Sequence, residues 1–286
     1  MTDTPKLTCH ILDTGFCWAS EHHLITGGQR RKIECHSIVA LLEHPQKGWL
    51  LWDTGYAPRM LDATKKFPFR LYRWMTPMVL RPELAVVAQL ERFGISANDV
   101  KHVIISHFHG DHIAGLRDFP TAEFLASKAG FDYVSKLSGW KAVRRAFIPE
   151  LLPDDFSRRV HLLPEPTGES LNGLGPTIDL FDDGSAKIFL LPGHARGQIG
   201  MLAQTQTGPM MFIADSCWMS DSYRLNKPPH WMTNFLVDSK QETLQTIANL
   251  HLFAQEHQDI TLIPTHCPEM FQRFVQPVGE PLESTG

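Results

Sequence analysis

Apolar residues occur in short runs that alternate with turn residues over the first half of the chain. Two such runs, residues 33–43 and 49–53, flank residues 45–48, which have the composition of a turn, so a hairpin is predicted here. Residues 100–105 form a β-branched run typical of a buried strand. Further strands are predicted over residues 6–13 and 121–127, and a helix over residues 83–93, ending at Gly94.

The second half has longer helical and loop-rich stretches. Apolar side chains at helix-compatible spacing predict that residues 128–152 are helical, whereas residues 153–184 are rich in Gly and Pro and predict loops. An amphipathic helix is predicted over residues 238–257, with Leu244 and Leu250 on its apolar stripe. Strands are predicted over residues 186–191, 209–214 and 260–263, and a loose tail over about the last fifteen residues.

Four side chains that can bind metal follow the strand predicted at residues 100–105. His107 and His109 are two residues apart on an extended segment, so they point to the same side and can bind one ion together. Gly110 lets the backbone turn, so Asp111 and His112 point elsewhere and can hold a second ion. Imidazole and carboxylate are groups that zinc, iron and manganese bind when no thiolate is supplied. This segment therefore predicts a metal site.

Two ions need more than these four ligands, and three later strands end in suitable residues. His194 follows a predicted strand and a Pro-Gly turn, Asp215 ends a second strand, and His266 ends a third. Three such residues in order are a strong indication of a complete dinuclear site. Asp53, at the end of an earlier strand, is predicted either to cap a turn or to orient a metal ligand.

Composition and charge indicate the class of protein, its partners and its cellular compartment. Of the 286 residues, 43% are hydrophobic and 20% are charged, which is ordinary for a soluble globular protein. The net charge of -4 gives no overall basic surface for nucleic acid. The five cysteines are scattered, which favours a reducing compartment over a disulfide framework. With no apolar leader or membrane-spanning stretch, a cytoplasmic protein without stable membrane anchoring is expected.

Residues 56–81 form a distinct segment, in which basic and aromatic side chains alternate and three prolines intervene. Its composition is compatible with an irregular connector, a lid over a substrate pocket, a homodimer contact or a membrane-surface patch. We favour the lid or the dimer contact.

The motif His107-x-His109-x-Asp111-His112, followed by His194, Asp215 and His266, resembles the metallo-β-lactamase superfamily. The sequence Asp53-Thr54-Gly55 also resembles an early motif of that family. The resemblance implies an α/β fold, a four-layer αββα sandwich with a dinuclear metal site at the edge of its two sheets. It further implies a single domain over residues 1–286, with a lid or dimer insertion at residues 56–81 and a helical insertion at about residues 128–152.

The resemblance also implies the roles of individual side chains. His107, His109 and His194 would bind one metal ion; Asp111, His112 and His266 would bind the other; Asp215 would bind both. Asp111 and Asp215 would be the catalytic carboxylates, and Asp53 would orient a ligand. Zinc is the expected metal, with iron, manganese or cobalt as alternatives, because His and Asp accept all of them. Asp111 stands where lactam-cleaving zinc enzymes use a thiolate, so a role in antibiotic resistance is not expected.

Within the superfamily, residues 106–116 and 192–200 are similar to the N-acyl homoserine lactonase branch. That similarity implies a quorum-quenching hydrolase of a lactone or carboxylic ester with an apolar tail. The chain departs from the branch at Trp218, where those lactonases carry a Tyr that hydrogen bonds the lactone. An indole N–H can donate a hydrogen bond but cannot act as an acid, and Tyr223 is a candidate substitute. The predicted substrate pocket comprises Trp218, Tyr223, Phe67, Phe69, Trp74, Met78 and Trp231.

Two alternatives to a lactonase remain open from the sequence. One is a hydrolase of phosphodiesters or thioesters, and the other is a non-hydrolytic di-iron or ligand-binding protein. In each case the expected partner is a small molecule and not a nucleic acid, because the chain is acidic overall and lacks a basic groove outside residues 59–81.

Overall fold

A computed structural model of the protein describes residues 4–275, which contain two β-sheets. The first sheet has the spatial order β4-β1-β2-β3-β5-β6-β7, and its strands are β1 (Thr8–Ser20), β2 (Lys32–His44), β3 (Gly48–Trp52), β4 (Met78–Val79), β5 (Val100–Ile105), β6 (Glu123–Ser127) and β7 (Val160–Leu163). The second has the order β13-β12-β11-β10-β9-β8, and its strands are β8 (Ser170–Leu171), β9 (Gly175–Asp179), β10 (Ala186–Leu190), β11 (Ile199–Thr205), β12 (Gly208–Ala214) and β13 (Thr261–Pro264).

Helices cover the outer face of each sheet. The α-helices are α1 (Glu21–Leu24), α2 (Arg59–Ala63), α3 (Arg70–Met75), α4 (Val86–Gln89), α5 (Gly110–Ile113), α6 (Lys128–Val134), α7 (Gly139–Val143), α8 (Phe156–Arg159), α9 (Ser220–Arg224), α10 (Lys240–Glu256) and α11 (Pro268–Phe274). Short 3-10 helices span Pro82–Leu84, Leu90–Phe93, Leu116–Asp118, Pro149–Leu151 and Trp231–Phe235. None of the helices within residues 4–275 has both the length and the apolar character that a membrane crossing requires.

Three layers of apolar contact show how the sheets and helices stack. Alternate residues of β5 point to opposite faces of the first sheet, so Ile104 packs between the two sheets while Val103 packs towards the helices. Trp52 and Phe212 meet between the sheets, with ring centroids 5.9 Å apart. Ile247, on α10, packs on the outer face of the second sheet. The order helix, sheet, sheet, helix is the predicted four-layer sandwich.

The two sheets are joined at the edge where the candidate ligands lie. Strands β3, β5 and β6 are parallel, and so are β12 and β13, so their carboxyl ends share one edge within each sheet. The Ile199 amide donates to the Ser106 carbonyl, and the Ile38 amide donates to the Thr265 carbonyl. Backbone hydrogen bonds thus hold the loops that follow β5 and β13 against the opposite sheet.

The helices predicted before and after the metal motif are broken into shorter pieces. Residues 83–93 form two 3-10 turns and α4, because Ala85 is extended at ψ 138°, and the last turn ends at Gly94 with φ 69° as predicted. Residues 128–152 are not one helix but α6, α7 and a 3-10 turn, interrupted at Gly139 and Ala146, which both have positive φ. Apolar spacing alone does not reveal such interruptions.

The predicted hairpin of β2 and β3 and the predicted strands β5, β10 and β12 are confirmed, but other strands are longer than predicted or were missed. β1 continues to Ser20 where residue 13 was expected to end it, and residues 153–184 contain β7, β8 and β9 where loops were expected. β11 was not predicted, although it lies in the middle of the second sheet. The predicted helix at residues 238–257 is α10, capped by Ser239, but Leu244 is 40% exposed and lies outside its buried face. Residues 276–286, where most of the predicted tail falls, lie outside the described residues.

Candidate metal centre

Three imidazoles from two strand ends form a first group of ligand atoms. His107 and His109 follow β5, and His194 follows β10 after the Pro192-Gly193 turn. One nitrogen of each lies within 4.8 Å of the other two, and His194 Nε2 is 3.0 Å from His109 Nδ1. This group can hold one metal ion.

A second group lies beside the first and contains Asp111, His112 and His266. Asp111 and His112 are on α5, whose sharp turn at Gly110 separates them from His109, and His266 follows β13. Asp111 Oδ2 is 3.3 Å from His266 Nε2. An ion between them would have one carboxylate and two imidazole ligands.

Asp215 lies between the two groups. Its Oδ1 is 3.3 Å from His112 Nε2, and its Oδ2 is 3.1 Å from His266 Nε2 and 3.4 Å from His194 Nε2. With His107 and His112, Asp215 forms a further set of ligand atoms within 4.8 Å of one another. Its carboxylate is therefore placed to contact ions in both groups.

Asp53 fixes the orientation of two of these histidines. Its Oδ2 is 2.8 Å from His112 Nδ1, and it accepts hydrogen bonds from the Ser106 amide at 2.8 Å and the Ser106 hydroxyl at 2.7 Å. The Ser106 hydroxyl oxygen is in turn 3.0 Å from His107 Nδ1. Because both Nδ1 atoms face these acceptors, the Nε2 atoms of His107 and His112 face the centre.

Backbone conformation contributes to this placement. Asp53 has φ 60° and Ala214, which precedes Asp215, has φ 46°. Non-glycine residues in this region cost on the order of 1–3 kcal/mol and persist where surrounding contacts enforce them. His266 is held by its Nδ1–H, which donates to the His36 carbonyl at 2.9 Å. The strand ends thus aim acidic and imidazole groups at one point.

Burial keeps the imidazoles of the first group neutral. Burial, followed by the neighbouring imidazoles, holds the pKa of His107 well below its ordinary value. Burial likewise lowers the pKa of His109 to about 3 and lowers the pKa of His194. Neutral imidazole is the form that binds metal.

The second group has the opposite electrostatics. Burial lowers the pKa of His112, but Asp215 and Asp53 outweigh it and raise that pKa to about 10. His266 has its pKa raised well above the ordinary value for the same reason, by Asp215 and Asp111. The carboxylates of this group therefore attract positive charge, which a divalent cation supplies more strongly than imidazolium does.

Unpaired buried atoms test whether a metal ion fits. His107 Nε2, His112 Nε2 and Asp215 Oδ1 are buried, and within residues 4–275 none of the three makes a well-aligned hydrogen bond, although the last two lie 3.3 Å apart. Buried polar atoms without partners are costly, so such atoms in a native protein call for an explanation. All three belong to one set of mutually close ligand atoms, and a cation among them would satisfy each.

A cavity of about 600 Å³ opens onto this centre. His109, Asp111, His194, Asp215 and His266 lie on its floor. Its wall is largely apolar and includes Trp18, Leu24, Met75, Trp218, Met232, Phe235 and Leu236. The arrangement places a polar reacting centre beneath an apolar space of ligand size.

The sequence of this chain is similar to those of known proteins. Residues 34–129 match the metallo-beta-lactamase superfamily. The N-acyl homoserine lactonase AttM of Azorhizobium caulinodans is 25% identical over an alignment of 288 residues, which covers 98% of this chain and 99% of that protein. AttM of Rhizobium radiobacter is 25% identical over 199 residues, covering 68% of this chain and 69% of that protein.

Solved structures extend the similarity over almost the whole chain. An N-acyl homoserine lactone hydrolase, with N-hexanoyl-L-homoserine bound at its catalytic metal centre, has a TM-score of 0.70 at 15% identity, covering 95% of this chain and 97% of that one. AidC, a dizinc quorum-quenching lactonase, has a TM-score of 0.62 at 15% identity, covering 93% and 89%. The predicted fold and the predicted resemblance to the metallo-β-lactamase superfamily are confirmed, and the chain is a metal-dependent hydrolase.

The cavity wall differs from the sequence prediction. Of the seven residues predicted to form the pocket, Trp218 lines the described cavity, and its Nε1–H donates to Asp215 Oδ2 at 3.2 Å. Tyr223 faces away from the cavity and packs between the second sheet and α10, where its hydroxyl approaches the Leu262 carbonyl at 3.5 Å. Tyr223 is therefore not among the residues that line the described cavity.

The other five predicted pocket residues also lie elsewhere. Phe69 and Met78 pack against the core between the first sheet and its helices. Phe67, Trp74 and Trp231 are 60%, 81% and 69% exposed, so they point to solvent. Apolar composition identified the correct segments but not which face of each segment turns inwards.

Tyr72 is a residue of the centre that the sequence did not single out. It lies on α3 within the predicted lid segment and is 7% exposed, and its hydroxyl donates to Asp111 Oδ1 at 3.1 Å. The chain has only four tyrosines, so a search for a phenol donor among all four would have included it.

Proposed function

We propose that the protein hydrolyses lactones or related carboxylic esters that carry an apolar tail, in the manner of an N-acyl homoserine lactonase. The observation that carries the proposal is the position of Asp215 between two groups of ligand atoms, at the floor of the apolar-walled cavity of about 600 Å³. A substrate with a polar head and an apolar tail matches both parts of this space. Relatives named N-acyl homoserine lactonase support the same substrate class and a quorum-quenching activity.

The proposed ligands are the seven predicted ones. His107, His109 and His194 would hold one divalent cation, Asp111, His112 and His266 the other, and Asp215 both. When bound, such a pair of cations provides water acidic enough to ionise near neutral pH and positive charge beside the substrate carbonyl oxygen. Zinc is the proposed metal. The dizinc lactonase AidC supports this choice, and so does a donor set made of histidine and carboxylate groups.

Asp111 and Asp215 are the proposed catalytic carboxylates. Burial raises the pKa of Asp111, but hydrogen bonding and charge from His266, followed by His112, outweigh it and hold that pKa below its ordinary value. Asp111 is therefore ionised, and its Oδ1 accepts a hydrogen bond from the cavity residue Tyr72. Trp218 donates to Asp215 Oδ2 and so helps hold that carboxylate in place.

The apolar wall is proposed to bind the tail and to exclude water from the reacting atoms. The inner side of the segment at residues 56–81 contributes Tyr72, Met75, Thr76 and Pro77 to this wall, which supports a lid function. Its outer side exposes Phe67 and Trp74, and these exposed aromatic rings support the proposal that the segment also forms a homodimer contact. All five cysteines are free thiols, which supports a cytoplasmic setting.

A hydrolysis panel tests the proposal. The zinc-loaded protein should open acyl lactones and cleave aryl esters with apolar tails, and chelation should abolish both activities. His194→Ala should abolish them too, whereas His161→Ala, at a histidine whose side chain is 58% exposed and outside the centre, should not. Turnover of phosphodiesters or thioesters alone would contradict the proposal.

A further inference from the structure

Tyr72 and Asp111 connect the lid segment to the second group of ligands. Tyr72 donates its hydroxyl to Asp111 Oδ1 at 3.1 Å, while Asp111 Oδ2 is 3.3 Å from His266 Nε2. The two oxygens of one carboxylate therefore face different partners. One faces α3 and the other faces the proposed metal ligands.

We propose that Tyr72 is a positioning residue for the second metal ion. By holding Asp111 Oδ1, the phenol presents Oδ2 on the side of His266 and His112, and it links binding at this position to the placement of α3. This inference rests on the proposed function, because it requires the seven side chains to bind two ions.

The chemistry of the pair suits this role. A hydrogen bond from a neutral O–H to an ionised carboxylate is charge-assisted and is stronger than one between neutral groups. A tyrosine phenol ordinarily has a pKa of about 10, so at neutral pH it carries the proton that it donates. Groups that hydrogen bond to metal ligands orient those ligands and contribute to metal affinity.

The surroundings of Asp111 make the phenol hard to replace. Tyr72 comes from a segment that precedes the motif, whereas Asp53, which orients another ligand, contacts His112 and Ser106 and not Asp111. The indole of Trp218 is engaged with Asp215. Each of the two carboxylate ligands is thus oriented by a different aromatic donor from the cavity wall.

Thermodynamic linkage between Tyr72 and the second metal ion gives a second expectation. If Tyr72 and the second ion both act on Asp111, binding of the ion must favour the conformation in which α3 is docked, by the reciprocity of coupled equilibria. Addition of metal should then slow hydrogen exchange of backbone amides in α3. Tyr72→Phe should remove that effect while the ring still fills its space.

The first experiment is a zinc titration of the full chain, in competition with a chromophoric chelator. The wild type should bind two ions, and Tyr72→Phe should weaken one of them by about 10- to 100-fold while leaving the other unchanged. Tyr223→Phe is the matched control, because Tyr223 is also a buried tyrosine with one weak hydroxyl contact but lies outside the cavity. It should bind both ions as the wild type does.

Hydrogen exchange of the same three proteins provides a readout that does not depend on turnover. Zinc should slow exchange in α3 of the wild type and Tyr223→Phe, but not in Tyr72→Phe. If Tyr72→Phe binds both ions with wild-type affinity, the inference is overturned although the proposed function stands. If the wild type itself takes up no zinc, the proposed function fails, and this inference fails with it.

Discussion

Asp53 and His112 are 59 positions apart in the chain, yet Asp53 Oδ2 lies 2.8 Å from His112 Nδ1. Both side chains are buried, at 1% and 0% exposure. The contact joins the end of β3 to α5, which carries two of the proposed ligands. Asp53, in the early Asp-Thr-Gly sequence, thus orients His112 from the side of its ring that faces away from the metal centre.

Asp53→Asn should lower zinc affinity by about 10- to 100-fold, because the charge that holds two imidazoles in orientation is lost. Asparagine tolerates the positive φ at this position, so the backbone should remain folded. Equilibrium dialysis measures the effect. Asp183→Asn is the control, because Asp183 also contacts a buried histidine, His44 Nε2 at 2.8 Å, outside the centre. Equal affinities in the two variants would refute the role of Asp53.

Trp218→Phe should retain lactone hydrolysis within about tenfold of the wild type. The substitution removes one hydrogen bond to Asp215, worth on the order of 1 kcal/mol in net terms, and keeps an aromatic ring in the wall. Steady-state kinetics at saturating zinc test this. Complete loss of activity with zinc still bound would mean that the indole N–H itself contacts the substrate in the rate-limiting step.

Phe235→Ser should raise KM for long-chain acyl lactones by on the order of fivefold and leave kcat unchanged, because it removes apolar contact that the tail makes throughout the reaction. Short-chain lactones should be little affected. Phe235 lines the cavity and is 66% exposed, so folding should be unaffected. Trp140→Ser is the control, at an aromatic residue that is 55% exposed and does not line the described cavity. A uniform effect on all chain lengths would contradict tail binding at Phe235.

Gly55→Ala should destabilise the protein by about 1–3 kcal/mol more than Gly94→Ala does, because it adds overpacking to backbone strain. Both glycines have positive φ, 59° and 69°. A Cβ at Gly55 would lie 2.1 Å from Thr14 Oγ1, whereas one at Gly94 would meet nothing within 4 Å. Thr14 cannot yield easily, since its hydroxyl donates to the Ser37 carbonyl and accepts from the Tyr56 amide. Urea denaturation of both variants measures the difference in the free energy of unfolding. An equal decrease in the two variants would exclude crowding at Gly55.

The sequence located the proposed metal ligands because strand ends can be read locally. His107, His194 and His266 each follow an apolar run. The strands before His107 and His266 are parallel to a neighbouring strand, and the carboxyl ends of neighbouring parallel strands meet at one edge. The strand before His194 is antiparallel to both neighbours, but it runs in the same direction as β12, two strands away. The same reading located Asp53, although not the two hydrogen-bonding partners that define what it does.

The cavity wall could not be read in this way. Tyr72 and Trp74 lie on the same short helix, yet one is 7% exposed and the other 81%. A helix of this length shows too little periodicity to reveal its inner face, and the prolines around it leave its orientation to tertiary contacts. β11 was missed because Gly200 interrupts its apolar run, while its burial depends on strands on both sides.

The most direct test of the account is an anomalous difference map, recorded at the zinc edge, from crystals of the zinc-loaded protein. Two peaks about 3.5–4 Å apart should appear among His107, His109, Asp111, His112, His194, Asp215 and His266, with Asp215 contacting both. No peak among these side chains, or ordered zinc bound only elsewhere in the molecule, would contradict the central claim that they hold a pair of metal ions.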